Sequence, residues 1–340
     1  MRVLQGFLVS LAMTAAGTAP ALATPPQLAL PIACEPAKSC WIVNYLDHDR
    51  GEGVRDYACG IATYNAGAAN AHNGVDFALR DLPAMASGVA VLAAAAGTVI
   101  GVRDGMDDVS VRERGASAVE RRECGNGVRV DHGDGWATQY CHMKKGSIAV
   151  KAGDRVTTGA RLGEVGLSGL SEYPHLHFQV EKDGEPIDPF VGTVRTTGCG
   201  LGEAPLWRSE VLARLPYKPT AIFNVGFAPG QAEPEDARRG AYGATLPATA
   251  PAMVLWADAF NVRRGDRFVF TIHDPRGRTI FTHTADIERD QARRFAFAGR
   301  KRTAEEWARG TYRGEVRIVR GGPGDGGETV SQMPVLLEVR

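Results

Sequence analysis

The stretch His175-Leu176-His177-Phe178-Gln179-Val180 constrains this chain most, because apolar Leu176, Phe178 and Val180 alternate with polar partners. A period of two predicts a β-strand with both imidazoles on one face. Two histidines on one face are half a metal site. Upstream, His72-Asn73-Gly74-Val75-Asp76 offers a further nitrogen and an oxygen donor. A catalytic zinc uses three protein ligands and an open position, so one of these four candidates is surplus to coordination.

Tyr140-Cys141-His142-Met143 adds another histidine on a predicted strand. Together the segments resemble the lysostaphin/LytM-type zinc metallopeptidase family, whose His-x-x-x-Asp, Tyr-x-His and His-x-His motifs occur here in the same order. The resemblance runs from Tyr57 to Phe190 and includes turn glycines such as Gly97, Gly153 and Gly169. It implies zinc on His72, Asp76 and His177, and assigns His142 and His175 to the reacting water and the developing oxyanion. It also implies an antiparallel β-sheet domain with an open groove, acting on peptide bonds of peptidoglycan stem peptides or cross-links. The glutamate base of a His-Glu-x-x-His motif is absent. Some relatives are non-catalytic regulators or scaffolds of cell-wall hydrolases, but those usually lack one or more of the five residues that this chain keeps.

The N-terminus, with Arg2, an apolar run from Phe7 to Ala16 and the small-residue site Ala21-Leu22-Ala23, reads as a signal peptide over 1–23. An exported protein, periplasmic or extracellular, follows. Pro31-Ile32-Ala33 before Cys34 is a poor lipobox, and no later apolar run is long enough to span a bilayer. Lysine plus arginine, 39, equals aspartate plus glutamate, 39, so no basic excess points to nucleic acid.

The expected organisation is mainly β: a cysteine-bearing segment over 24–56, the LytM-type domain over 57–200, a linker over 201–218, and an immunoglobulin-like β-sandwich over 219–340. The sandwich rests on strand-like runs at Ala221–Val225, Met253–Phe260, Arg267–Ile272, Thr279–Thr284, Arg294–Phe297, Tyr312–Val319 and Pro334–Val339. Its partner has no motif. Thr303-Ala304-Glu305-Glu306 resembles a capping box and predicts a short helix stopped by Gly310. Leu206-Trp207, Val211-Leu212 and Leu215 have helical spacing. The charged segment between Arg103 and Cys124 reads as an exposed loop and a candidate groove wall. Asp47-His48-Asp49 reads as a turn rather than a second metal site, and His132 as a turn residue. His273 and His283 carry no partner motif.

All six cysteines, at 34, 40, 59, 124, 141 and 199, precede the sandwich, and their even number in an exported chain predicts disulfides. No Cys-x-x-Cys spacing favours a four-cysteine zinc site. One pairing can be argued. A hairpin over His132-Gly133-Asp134-Gly135 that pairs Asp131 with Trp136 places Asn126 opposite Cys141. Cys124 is then one pleat too far for a bridge needing β-carbons about 4 Å apart. A bulge in Gly125-Asn126-Gly127 would close the gap between Cys124 and Cys141.

Overall fold

Alternation in the His175 segment becomes the centre of an antiparallel sheet. The computed structural model describes residues 24–49, 51–65, 71–194, 198–321 and 327–340, so the expected signal peptide lies outside the described residues. The first ten strands are β1 (Cys40–Asn44), β2 (Val75–Leu79), β3 (Ala90–Leu92), β4 (Gly97–Arg103), β5 (Asn126–Gly133), β6 (Trp136–Met143), β7 (Arg155–Val156), β8 (Arg161–Glu164), β9 (His175–Lys182) and β10 (Glu185–Ile187). Short helices are α1 (Leu82–Ala86), α2 (Val111–Arg114), α3 (Ser209–Leu212) and α4 (Pro234–Arg238). The main sheet runs β1-β2-β9-β6-β5-β4-β7, with β10 on β9, while β3 and β8 form a separate pair. Leu176, Phe178 and Val180 enter one core with Phe77, Tyr140 and Phe190, which leaves His175 and His177 to the opposite face.

The flanks of this domain share its core. β1 pairs with β2 as an edge strand of the main sheet, and Leu28, Ile32 and Tyr45 are buried among the residues above. Leu206, Trp207, Val211 and Leu215, expected in a linker, pack into the same cluster. Their helical spacing yields only the single turn of α3.

The segment after Arg103 is mostly exposed, as read in the sequence, and Val111 and Arg112 line a cavity, but the segment is not structureless. It contains α2 and a 3₁₀ turn over Ala116–Val119, with Val119 fully buried. Its acids are committed: Asp104 accepts from the Gly146 amide at 2.8 Å, and Asp108 from those of Lys145 at 2.9 Å and Leu167 at 2.7 Å. Carboxylates that satisfy backbone donors look, in sequence, like solvated charge. Asp47, read as part of a solvated turn, is buried instead, and its Oδ1 accepts from the amides of Asp49 and Arg55.

The remaining strands are β11 (Ala221–Ala228), β12 (Thr245–Leu246), β13 (Ala252–Val262), β14 (Arg267–His273), β15 (Thr279–Asp286), β16 (Gln291–Lys301), β17 (Gly310–Arg320) and β18 (Glu328–Val339). They form two sheets, β11-β13-β16 and β12-β18-β17-β14-β15, whose inward residues, among them Leu255, Phe268, Phe270, Ile318 and Leu337, make a second core. All seven expected runs are strands. The result is a two-sheet β architecture. The helix expected after Thr303 is absent. There the Trp307 amide donates to Ala248 O at 2.8 Å and its indole Nε1 to Ala250 O at 2.9 Å, so tertiary anchoring outweighs the capping pattern.

Candidate metal centre and groove

Register brings the His-x-x-x-Asp and His-x-His motifs together. Asp76 on β2 lies directly opposite His177 on β9, and Cys141 on β6 faces His177 from the other side. Partners across an antiparallel pair project to the same face, so the carboxylate and the imidazole meet without any loop. His177 Nδ1 is 2.9 Å from Asp76 Oδ1, and His72 Nε2 is 3.1 Å from that oxygen and 3.2 Å from His177 Nδ1. Gly74 makes room for this triangle: a Cβ there would sit 2.8 Å from His177 Nε2 and 2.6 Å from Phe178 O.

These three atoms suit a cation. His72 Nδ1 is 2.7 Å from Tyr45 O, to which it donates, so loss of the Nε2 proton would turn a lone pair toward Asp76 and a bound cation. A tetrahedral zinc with ligands about 2.0–2.1 Å away would set them roughly 3.3 Å apart, close to the spacing seen. All three residues are nearly inaccessible, and together they form a potential metal-holding group. Burial penalises the Asp76 charge, but His72 and His175, with the His177 hydrogen bond, outweigh it and hold the carboxyl well below its ordinary range. Burial likewise pushes His72 down, and the Asp76 carboxylate more than offsets it, leaving the imidazole raised.

His142 and His175 sit beside this group with ring centroids 4.6 Å apart. His142 gets there by breaking alternation. Tyr140 and Met143 both enter the core, whereas the ring of the intervening His142 lies 6.1 Å from that of His177. The β5–β6 register jumps from Val128↔Tyr140 to Asn126↔Met143, so the extra residue is on β6, and His142 has φ 60°. A left-handed residue at a bulge swings the side chain to the other face. This corrects the expected bulge in the glycine stretch of the partner strand. The expected Cys124–Cys141 disulfide is present, with Cα atoms 4.8 Å apart, and Cys34–Cys40 and Cys59–Cys199 complete the set.

Both rings are fixed from behind. His142 Nδ1 donates to Ser168 O at 2.8 Å and His175 Nδ1 to Tyr173 O at 2.9 Å, leaving each Nε2 as an acceptor. Burial, reinforced by the neighbouring histidines, holds His142 well below its ordinary pKa, and burial also lowers His175. His132 stands apart. It is the extra residue of a second register shift, on β5 rather than in the turn, with nitrogens 2.8 Å from Ala96 O and from Thr138 Oγ1.

Asp76, His142 and His175 line a cavity of about 500 Å³. A model of peptidase family M23 matches residues 70–189. Residues 70–189 belong to peptidase family M23. The chain is 32% identical over 144 residues to an uncharacterized metalloprotease of Haemophilus influenzae, covering 42% of this chain and 25% of that protein. It is 32% identical over 117 residues to the peptidoglycan DD-endopeptidase ShyA of Vibrio cholerae, covering 34% and 22%. The chain thus spans a quarter or less of the length of these relatives. Among solved structures, the catalytic domain of lysostaphin from Staphylococcus simulans is 25% identical, with TM-score 0.27, over 37% of this chain and 82% of that one.

Sequence reasoning missed residues that support the M23 motifs from outside the matched segment. Asn44 Nδ2 donates to Asp76 Oδ2 at 2.9 Å, and the next residue supplies the carbonyl that holds His72. Asn44 and Tyr45 belong to no motif. Their only signal in the sequence is that Trp41-Ile42-Val43-Asn44-Tyr45 makes a short strand candidate.

Proposed function

We propose that the protein is an exported zinc endopeptidase that hydrolyses peptide bonds in peptidoglycan stem peptides or their cross-links. The observation that carries this reading is the pair of buried imidazoles, His142 and His175, which line one cavity together with Asp76 of the His-Asp-His group. His72 Nε2, Asp76 Oδ1 and His177 Nδ1 would hold the ion. When bound, zinc supplies Lewis acidity to the reacting groups. One of His142 and His175 accepts the proton of the attacking water at Nε2 and returns it to the leaving amine, a role that needs the neutral ring at pH 7, and the other faces the developing oxyanion. Their Nδ1 donors to Ser168 O and Tyr173 O keep the acceptor nitrogen in place throughout. Metalloprotease and endopeptidase names among the relatives support peptidoglycan peptides as substrate. No described helix is long and apolar enough to cross a membrane.

Incubating the metal-loaded protein with purified sacculi, with and without a chelator, tests the proposal. Soluble peptides should be released only without chelator. Absence of release by the metal-loaded protein would favour the non-catalytic regulator reading instead.

Asn44→Ala is expected to weaken zinc binding about 10–100-fold, the usual cost of losing a partner that orients a ligand. Competition with a chromophoric chelator measures it, and an unchanged affinity would deny Asn44 that role.

A further inference from the structure

The cavity that holds Asp76, His142 and His175 is closed on one side by the second domain, through Phe223, Phe260 and Arg293. That wall is fixed in place. Phe223 and Phe260 are buried in one cluster with Trp41, Val43 and Ala78 of the first domain, and Asn261 Nδ2 donates to Val43 O at 2.8 Å. From these contacts we propose that the second domain completes the substrate groove, and that Arg293 binds a carboxylate on the peptide being cleaved. The proposal rests on the endopeptidase reading and adds the chemical class of the substrate group next to the site.

Arg293 is built as a held donor. Nearly buried Asp258 accepts from Nε at 3.1 Å and from Nη2 at 2.7 Å. The guanidinium carbon lies 5.5 Å from the Tyr173 ring centroid and 5.0 Å from that of Phe223, so one ring from each domain flanks it. Nη1 has no hydrogen-bond partner among the described residues. Tyr173 connects it to the chemistry, because the carbonyl of that residue holds His175. A planar cation whose rotamer is already paid for by Asp258 and two rings loses little entropy on taking a ligand. The cavity's other carboxylates do not compete for it: Asp76 belongs to the histidine group, and Glu172 pairs with Arg112 at 2.7 Å. A charge-assisted hydrogen bond from Nη1 therefore favours an anionic acceptor over a neutral amide.

Two cross-linked peptides that differ only in a free carboxylate or a carboxamide beside the scissile bond separate this role from a purely structural one. The full-length zinc-loaded protein should prefer the carboxylate peptide. Arg293→Ala should lower kcat/KM on that peptide about tenfold or more, chiefly through KM, and leave the amide peptide within about twofold. Arg293→Gln, which retains a planar amide against Asp258, gives the same comparison if the alanine variant does not fold. Dissociation constants for both peptides, measured with and without the Arg293 change in a His142→Ala background, give an independent readout. If the wild-type protein cleaves neither peptide the endopeptidase reading fails, while the ratio of dissociation constants still decides Arg293. Equal losses on both peptides, or a wild-type protein without preference, would overturn the proposal.

Discussion

Asp76→Ala is expected to empty the metal site and abolish turnover. Asp76 Oδ1 contacts both His177 Nδ1 and His72 Nε2, so it is the only charged member of the proposed ligand set and the one that joins the other two. Water replaces such a ligand poorly. On a scale of about 10–16 kcal/mol for a complete structural zinc site, losing one of three protein ligands costs on the order of several kcal/mol, or two to three decades of affinity. Metal content after gel filtration, measured by atomic emission, checks it. Stoichiometric zinc in His72→Ala, Asp76→Ala and His177→Ala proteins alike would refute the ligand assignment.

His142→Ala and His175→Ala are expected to behave in the opposite way, keeping zinc while losing at least about a hundredfold in kcat. That is the usual size of an effect when a general base or a transition-state donor is removed. Neither ring belongs to the close triangle of His72, Asp76 and His177, so coordination should survive. His142 carries a further constraint, since its φ of 60° strains any side chain other than glycine, and asparagine tolerates that region better than alanine. His142→Asn therefore serves as the control for local folding. Full activity in both histidine variants would remove them from the reaction; zinc loss in both would make them ligands instead.

Much of this site could be read from residue order, and the reasons differ from residue to residue. The His175–Val180 segment declares itself because a period of two is a property of the strand alone, and pairing Asp76 with His177 needs only one more strand. His142 was found through its motif, although strict alternation would have placed it with Tyr140 in the core. A bulge is a relation between two strands, and neither strand's own pattern reveals which of them carries the extra residue. The same limit hid Asn44, whose importance arises from lying opposite Asp76 across β1 and β2. Arg293 was further out of reach, because its neighbours Tyr173 and Asp258 come from different domains. Capping residues at Thr303 misled for a related reason: a local preference worth about 1 kcal/mol yields to the burial of Trp307.

The position of β1 bears on where this protein can be cut. A fragment trimmed to the matched segment 70–189 would begin after β1, so Asn44, the Tyr45 carbonyl and the strand paired with β2 on that side would all be lost. Every residue of β2 is buried in the intact chain, so its unpaired backbone and apolar side chains would face solvent as a template for self-association. Such a fragment would precipitate or bind metal loosely, and its inactivity would say nothing about the chemistry. The stretch that is similar across relatives is thus smaller than the body that folds, and the smallest sound piece of this chain starts upstream of Cys34, whose disulfide to Cys40 ties down the entry to the strand.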